Sequence, residues 1–155
     1  MLVTINTDAS FNHENKFGGF AFWIKSSAFK IQKAGYFKDT CLNPTEAEMK
    51  CIINALHVLL SSHNTVTRII INTDSLNSIH IINNDRININ KYGLHFGDKL
   101  RRKFIKIQKS YHRTLNIQLR HVKAHSNVND ARSYVNEWCD KHAKAYMWRK
   151  TNLNK

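Results

Sequence analysis

Ile5-Asn6-Thr7-Asp8 and Ile71-Asn72-Thr73-Asp74 are the same tetrapeptide, INTD, written twice. Strand-forming residues precede each copy: Leu2-Val3-Thr4 before the first and Arg68-Ile69-Ile70 before the second. A serine comes within two residues after each. Two explanations compete. The chain could contain an internal repeat, or two separate strands could deliver carboxylates to one place. The downstream residues decide between them. The first copy runs into a polar turn (SFNHENKFGG) and then alternating aromatic stretches, 19–24 and 29–37, joined by KSSA. That pattern predicts an antiparallel hairpin. The second runs into a short helical pattern, SLNSIHIIN. Flanks this different argue against a repeat, and the shared Ile-Asn is attributed to coincidence and β-propensity.

The rest of the chain places the two strands. NPTEAEMKCIINALHVLL predicts a helix over 44–60, with Asn43 as N-cap and Pro44 in the first helical position. Met49, Ile52, Ile53, Leu56, Leu59 and Leu60 keep helical spacing and form its inward stripe. VTRIIIN (66–72) is nearly continuous in apolar and β-branched residues, as a strand buried on both faces should be. Leu76, Ile79 and Ile82 are expected to face inward from the next short helix, and 84–97 is irregular. A further helix spans 98–113 with Leu100, Phe104, Ile107 and Tyr111 on one stripe, and a fifth strand spans 115–122. The terminal helix 131–148 carries Val135, Cys139, His142 and Tyr146 on its apolar side, ahead of a frayed tail.

This order implies an α/β fold: a mixed five-stranded sheet, a hairpin meander and then strand–helix alternation, with helices on both faces. We expect one domain over 1–149 and a tail over 150–155. A right-handed crossover through the 44–60 helix lays strand 66–72 parallel to strand 2–7. Their carboxyl ends then share the edge where ligands of open α/β sheets bind.

Charge narrows the function. The 155 residues carry 24 Lys and Arg against 11 Asp and Glu, a formal net charge of +13. Such an excess favours polyanions, chiefly nucleic acid. The hydrophobic fraction of 42% excludes a disordered chain, and no apolar run is long enough for a membrane helix. The first residues lack the basic and apolar regions of a signal peptide. Three cysteines without metal-type spacing fit a reducing compartment, two of them packed in helices. A soluble cytoplasmic protein, monomeric and not bound to membrane, is the expectation.

Acids are scarce, so their positions carry information. Asp8 and Asp74 close the two strands, Glu48 lies near the inward stripe of the first helix, and Asp140 lies beside the Val135/Cys139 stripe. Each has an alternative local use. Asp74 could cap the next helix. Glu48 could close a capping box from Thr45, although Pro44 as first helical residue would give that position to Glu46. Asp140 could pair with Lys144 one turn on. Four carboxylates brought together in a basic chain repel one another unless divalent cations neutralise them. Mg²⁺ prefers such hard oxygen ligands. Two ions about 4 Å apart hold the attacking and leaving oxygens of a phosphodiester in line.

At these residues the chain resembles the type 1 ribonuclease H family, over nearly its whole length. INTDAS is similar to the family's first strand, which ends in Asp-Gly-Ser, with Ala9 in place of the glycine. GGFAFWI, AGYF, TEAEM, NTDS and VKAHS with the later NEWCDKHAK resemble further family motifs, in the family's order. The resemblance implies an RNase H-like fold and hydrolysis of the RNA strand of RNA–DNA hybrids, leaving 5′-phosphate ends. It implies Asp8, Glu48, Asp74 and Asp140 as ligands of two Mg²⁺ ions, with Mn²⁺ able to substitute, and His125 on a loop, assisting proton transfer or release of the product. The segment from His125 to Asp140 is longer than the family pattern. Asn43 and Thr45 stand where the family has paired asparagines that read the hybrid's minor groove, and Ser10 comes just after the first motif's aspartate. Lys99, Arg101, Arg102, Lys103, Lys106, Lys109 and Arg113 of the 98–113 helix form a candidate phosphate-tracking patch. The alternatives are another nuclease of the same fold, such as a junction resolvase or a reverse-transcriptase-associated domain, and a non-catalytic basic nucleic-acid-binding module.

Overall fold

A computed structural model describes residues 1–111, 115–123 and 131–154. Its strands are β1 (Leu2–Phe11), β2 (Gly18–Lys25), β3 (Lys30–Tyr36), β4 (Arg68–Thr73) and β5 (Asn116–His121). Its helices are α1 (Pro44–Ser62), α2 (Leu76–Ile82), α3 (Arg86–Tyr92), α4 (Asp98–Tyr111) and α5 (Ala131–Leu153), with a single 3-10 turn at His95–Gly97. The five strands form one sheet in the order β3-β2-β1-β4-β5. The meander β1-β2-β3 is antiparallel, while β4 runs parallel to both β1 and β5. This is the expected mixed sheet, and β1 and β4 are parallel neighbours as the paired INTD segments require.

The core lies mainly between the sheet and α1. Val3 and Ile5 of β1, Phe22 and Ile24 of β2, and Ile69 and Ile71 of β4 pack on Met49, Ile52, Ile53, Leu56, Leu59 and Leu60. The whole expected α1 stripe is buried. Asn43 caps α1, its Oδ1 accepting from the Glu46 amide, and Glu46 Oε1 accepts from the Leu42 amide. Glu46 rather than Glu48 therefore serves the helix start, which leaves Glu48 free to point elsewhere.

The second layer is α5, which covers β1, β2 and β3 on the other face. Contact is close. A Cβ on Gly19 would lie 2.1 Å from the Ala143 carbonyl oxygen and 2.5 Å from the Met147 amide. Only glycine lets β2 approach the helix this nearly.

Four local expectations change. Among the described side chains of α5 the buried ones are Cys139, Ala143, Met147 and Thr151, spaced by four, so His142 and Tyr146 sit beside the buried stripe rather than on it. Helix α5 continues to Leu153, and the Thr151 hydroxyl bonds to the Met147 carbonyl. The expected frayed tail is thus largely the helix's last turn. In α2 the inward residues are Ser78, Ile81 and Ile82, and Leu76 is exposed. Capping by Ser75 sets that phase. Within 84–97, Asp85 caps α3 and Gly93, in the left-handed region at φ 63°, ends it. The Asn-rich composition hides this helix, since Asn is a weak helix former. Among the described residues, no helix is long and apolar enough to cross a membrane.

Candidate active site

The parallel ladder between β1 and β4 runs from Leu2↔Arg68 to Asn6↔Asn72 and ends two residues short of both aspartates. Strand β1 does not stop at Asp8. It continues to Phe11 against β2 alone, with Asp8 opposite Ala21. The site lies where β4 ends, beside the part of β1 that pairs with β2 alone. After Thr73 the chain turns into α2, whose N-cap is Ser75, its Oγ accepting from the Ser78 amide. Asp74 is therefore not spent on capping.

Asp8, Glu48 and Asp74 each offer an oxygen within 4.8 Å of the others. They arrive on β1, on the second turn of α1 and at the β4–α2 junction. The Ala9 amide donates to Asp8 Oδ1 at 3.0 Å and to Glu48 Oε1 at 3.1 Å, fixing both carboxylates from one backbone group. Glu48 is only 8% exposed, and its Oε2 is buried without a donor. Burial, then the neighbouring Asp74 carboxylate, pushes Asp8 up to about 7; a hydrogen bond with Glu48 and the Ala9 amide work against the shift. Glu48 is held well above the usual carboxylate range by burial, then by Asp8 and Asp74. Without a cation, a proton on Glu48 bonds to Asp8 and relieves an oxygen–oxygen clash. With a divalent cation, the same oxygens become ligands. An orphaned buried oxygen within three hard donors fits a hard divalent ion.

Asp140, on α5, stands outside this trio. Its Oδ2 accepts from Lys144 Nζ at 3.1 Å, the i,i+4 pairing that the sequence offers as its local use. It is still near enough for its charge to raise Asp8. His125 lies outside the described residues, as does Arg113. Asn43 uses its side-chain oxygen in the α1 cap, while Thr45 Oγ1 takes a hydrogen bond from Asn77 Nδ2 at 3.5 Å. Ser10 Oγ points to Met147 Sδ at 3.4 Å, tying β1 to α5 beside the site. On α4, Lys99, Arg102, Lys103 and Lys106 are exposed, whereas Arg101 is half-buried with its Nε enclosed.

Two supports were not foreseen. Cys51, one turn beyond Glu48, directs its thiol to the carbonyls of Asp8 and Ala21, both at 3.4 Å, bracing the strand pair behind the carboxylate. Its only sequence signal is the three-residue spacing from Glu48. The shared Ile-Asn of the two tetrapeptides is also structural. Ile5 lies opposite Ile71 and Asn6 opposite Asn72, and Asn72 Oδ1 accepts from Arg120 Nε at 2.7 Å. A polar tier of half-buried Asn6 and buried Asn72 thus underlies the aspartates, visible in sequence only as a repeated Asn at strand positions that disfavour it.

A family model described as RNase H matches residues 2–147. No curated protein matches the chain. Among solved structures, LC11-RNase H1, isolated from compost and crystallised with an RNA/DNA hybrid, is 15% identical with a TM-score of 0.62; the match covers 92% of this chain and 97% of that one. RNase H1 from the halophilic archaeon Halobacterium salinarum is 15% identical, with a TM-score of 0.68 and coverages of 95% and 98%. The N-terminal RNase H domain of a Mycobacterium tuberculosis protein is 14% identical, with a TM-score of 0.67 and 99% of each chain covered. At these identities the structures establish likeness of fold.

Proposed function

The chain belongs to the RNase H family, and from that premise we propose that it is a metal-dependent endoribonuclease cutting the RNA strand of RNA–DNA hybrids. The observation that carries the proposal is the trio Asp8, Glu48 and Asp74, gathered within 4.8 Å with a buried Glu48 oxygen that has no donor. Asp8, Glu48 and Asp74 would hold Mg²⁺, or Mn²⁺ in its place, with Asp140 completing a two-ion site at its open side. Bound divalent cations supply Lewis acidity toward water and phosphate oxygens.

The chain's own groups do the rest. The Ala9 amide and Cys51 hold Asp8 rigid, so little reorganisation accompanies charge development. Glu48, pinned at Oε1, keeps a second, buried oxygen without a donor that a cation would take. Asp140 is tethered by Lys144 and partly solvated, so its ligation is the adjustable one. His125 would carry a proton to or from the departing oxygen, a task suited to a group titrating near neutrality. Ser10, Asn43 and Thr45 would contact the minor groove, where a hybrid is recognised by shape and 2′-hydroxyls. The working unit is a monomeric catalytic domain. Its three cysteines are unpaired and buried, which suits a reducing, cytoplasmic setting.

Labelled RNA–DNA hybrid, duplex RNA, duplex DNA and a four-way junction, each with and without Mg²⁺, provide the test. The expected result is Mg²⁺-dependent cleavage of the hybrid alone, yielding 5′-phosphate ends and abolished by Asp8→Asn. Cleavage of junctions only would assign a resolvase, and binding without cleavage in Mg²⁺ or Mn²⁺ a non-catalytic module.

A further inference from the structure

We propose that the outer face of α4 is a second nucleic-acid contact, remote from the carboxylates, that grips the phosphates of a strand not being cut. Arg102, Ile105, Lys106, Lys109 and Ser110 line an open groove of about 390 Å³. Their spacing of three and four places them on one face of the helix, opposite Leu100, Phe104 and Ile107. The face is not a mixed solvated surface. Among the described residues, none of Lys99, Arg102, Lys103, Lys106 and Lys109 forms an ion pair. The one acid of the helix is Asp98, at its start. Unpaired like charges on one short face repel one another, and a polyanion is the complementary occupant.

Topology separates this face from the cleft. Gln108 Nε2 donates to the Leu115 carbonyl at 3.5 Å, which ties the end of α4 to the beginning of β5. That point lies beside Arg68, where β4 begins, whereas Asp74 lies just past its end. Six strand residues at ~3.3 Å each put the groove's lower end roughly 20 Å from the carboxylates. From Arg102 to Lys109 the helix rises ~10 Å. At ~3.4 Å of axial rise per nucleotide, that matches about three consecutive phosphates. Half-buried Ile105 gives the groove a dry floor and Ser110 adds a hydroxyl donor, so contact is to backbone rather than base edges. An anionic membrane offers the same charge, but a face ~10 Å long with one half-buried apolar residue has nothing to insert into lipid.

The identity of the polyanion rests on the proposed nuclease function, so the experiment reads binding and cleavage separately. Arg102, Lys106 and Lys109 are replaced together by Gln. A control triple carries Lys25→Gln, Lys33→Gln and Lys38→Gln, with the same loss of charge on the exposed β2–β3 side. Affinity for a labelled single strand of about 20 nucleotides is measured by anisotropy in EDTA across a salt series. The α4 triple is expected to bind about tenfold more weakly, with a log–log salt slope smaller by about 2. The control is expected to bind within about twofold of the parent. In Mg²⁺ the α4 triple should keep the parent's rate at saturating hybrid while its KM rises, and the control should change neither. Equal affinity of the α4 triple and parent overturns the proposal, as does an equal loss in the control, which would mean net charge alone. Stripe-dependent capture by phosphatidylserine vesicles without stripe-dependent strand binding would reassign the face to lipid. Failure of the parent to cleave hybrid would sink the nuclease reading while leaving the α4 comparison intact.

Discussion

Replacing Asp8 by Asn should stabilise the metal-free protein at neutral pH while removing its activity. In the folded state the Asp8 carboxyl rises from its ordinary 3.8 to about 7. The folded protein therefore holds more protons than the unfolded chain between those values, and stability falls as pH rises through that window. At ~1.36 kcal/mol per unit, the ceiling on the loss is about 4 kcal/mol at pH 8. Relaxation around the partly open cluster, and the proton on Glu48, reduce it to roughly 1–3 kcal/mol. Asparagine is nearly isosteric and carries no charge, so it escapes this penalty. Urea unfolding in EDTA at pH 4, 6 and 8 should give stability differences, variant minus parent, that are near zero at pH 4 and positive by roughly 1–3 kcal/mol at pH 8. Comparing the two proteins cancels every contribution common to both. Added Mg²⁺ should raise the parent's stability at pH 8 and help the variant less. A flat difference across pH, or a variant less stable than the parent at pH 8, would show that the carboxylates do not strain one another.

Glu48→Gln should be neutral or stabilising without metal, because its buried Oε2 already lacks a donor, yet cost at least about 100-fold in Mg²⁺-dependent cleavage; single-turnover rates check it. Gly19→Ala should destabilise by about 1–3 kcal/mol or more, since its Cβ would meet the α5 backbone; a lowered Tm with weakened cleavage, as Asp140 moves away from Asp8, is the expected pair of observations. Asn43→Ala removes the α1 cap and should cost about 1 kcal/mol in urea unfolding, with cleavage by the folded fraction also reduced; unchanged cleavage would confine Asn43 to the helix start.

Much of the fold is legible in the sequence because its signals are local. The α1 stripe, the Asn43-Pro44 start and the aromatic hairpin each declare themselves within one element, through periodicity and capping chemistry. The mismatches are also local, where a weak signal meets a tertiary choice. Helix α3 hides among its asparagines. Large side chains suggest one phase for α5, whereas packing against Gly19 selects the small Ala143. Ser75 sets the start of α2, which turns Leu76 outward.

The candidate site divides the same way. Sequence alone named Asp8, Glu48, Asp74 and Asp140, because acids are few in a basic chain and each falls on a distinct element. It also set β1 and β4 side by side, through the twice-written INTD. Only the tertiary structure decided which carboxylates touch. Three close together, two of them sharing the Ala9 amide, and Asp140 stands off on Lys144. It also decided that the repeated Ile-Asn is a register match across the parallel ladder rather than a by-product of composition. The reason is physical. Residue type and spacing fix what a segment prefers, but a distance between groups far apart in the chain is set by where β4 leaves the sheet and how closely α5 can approach β2, and no local pattern encodes either.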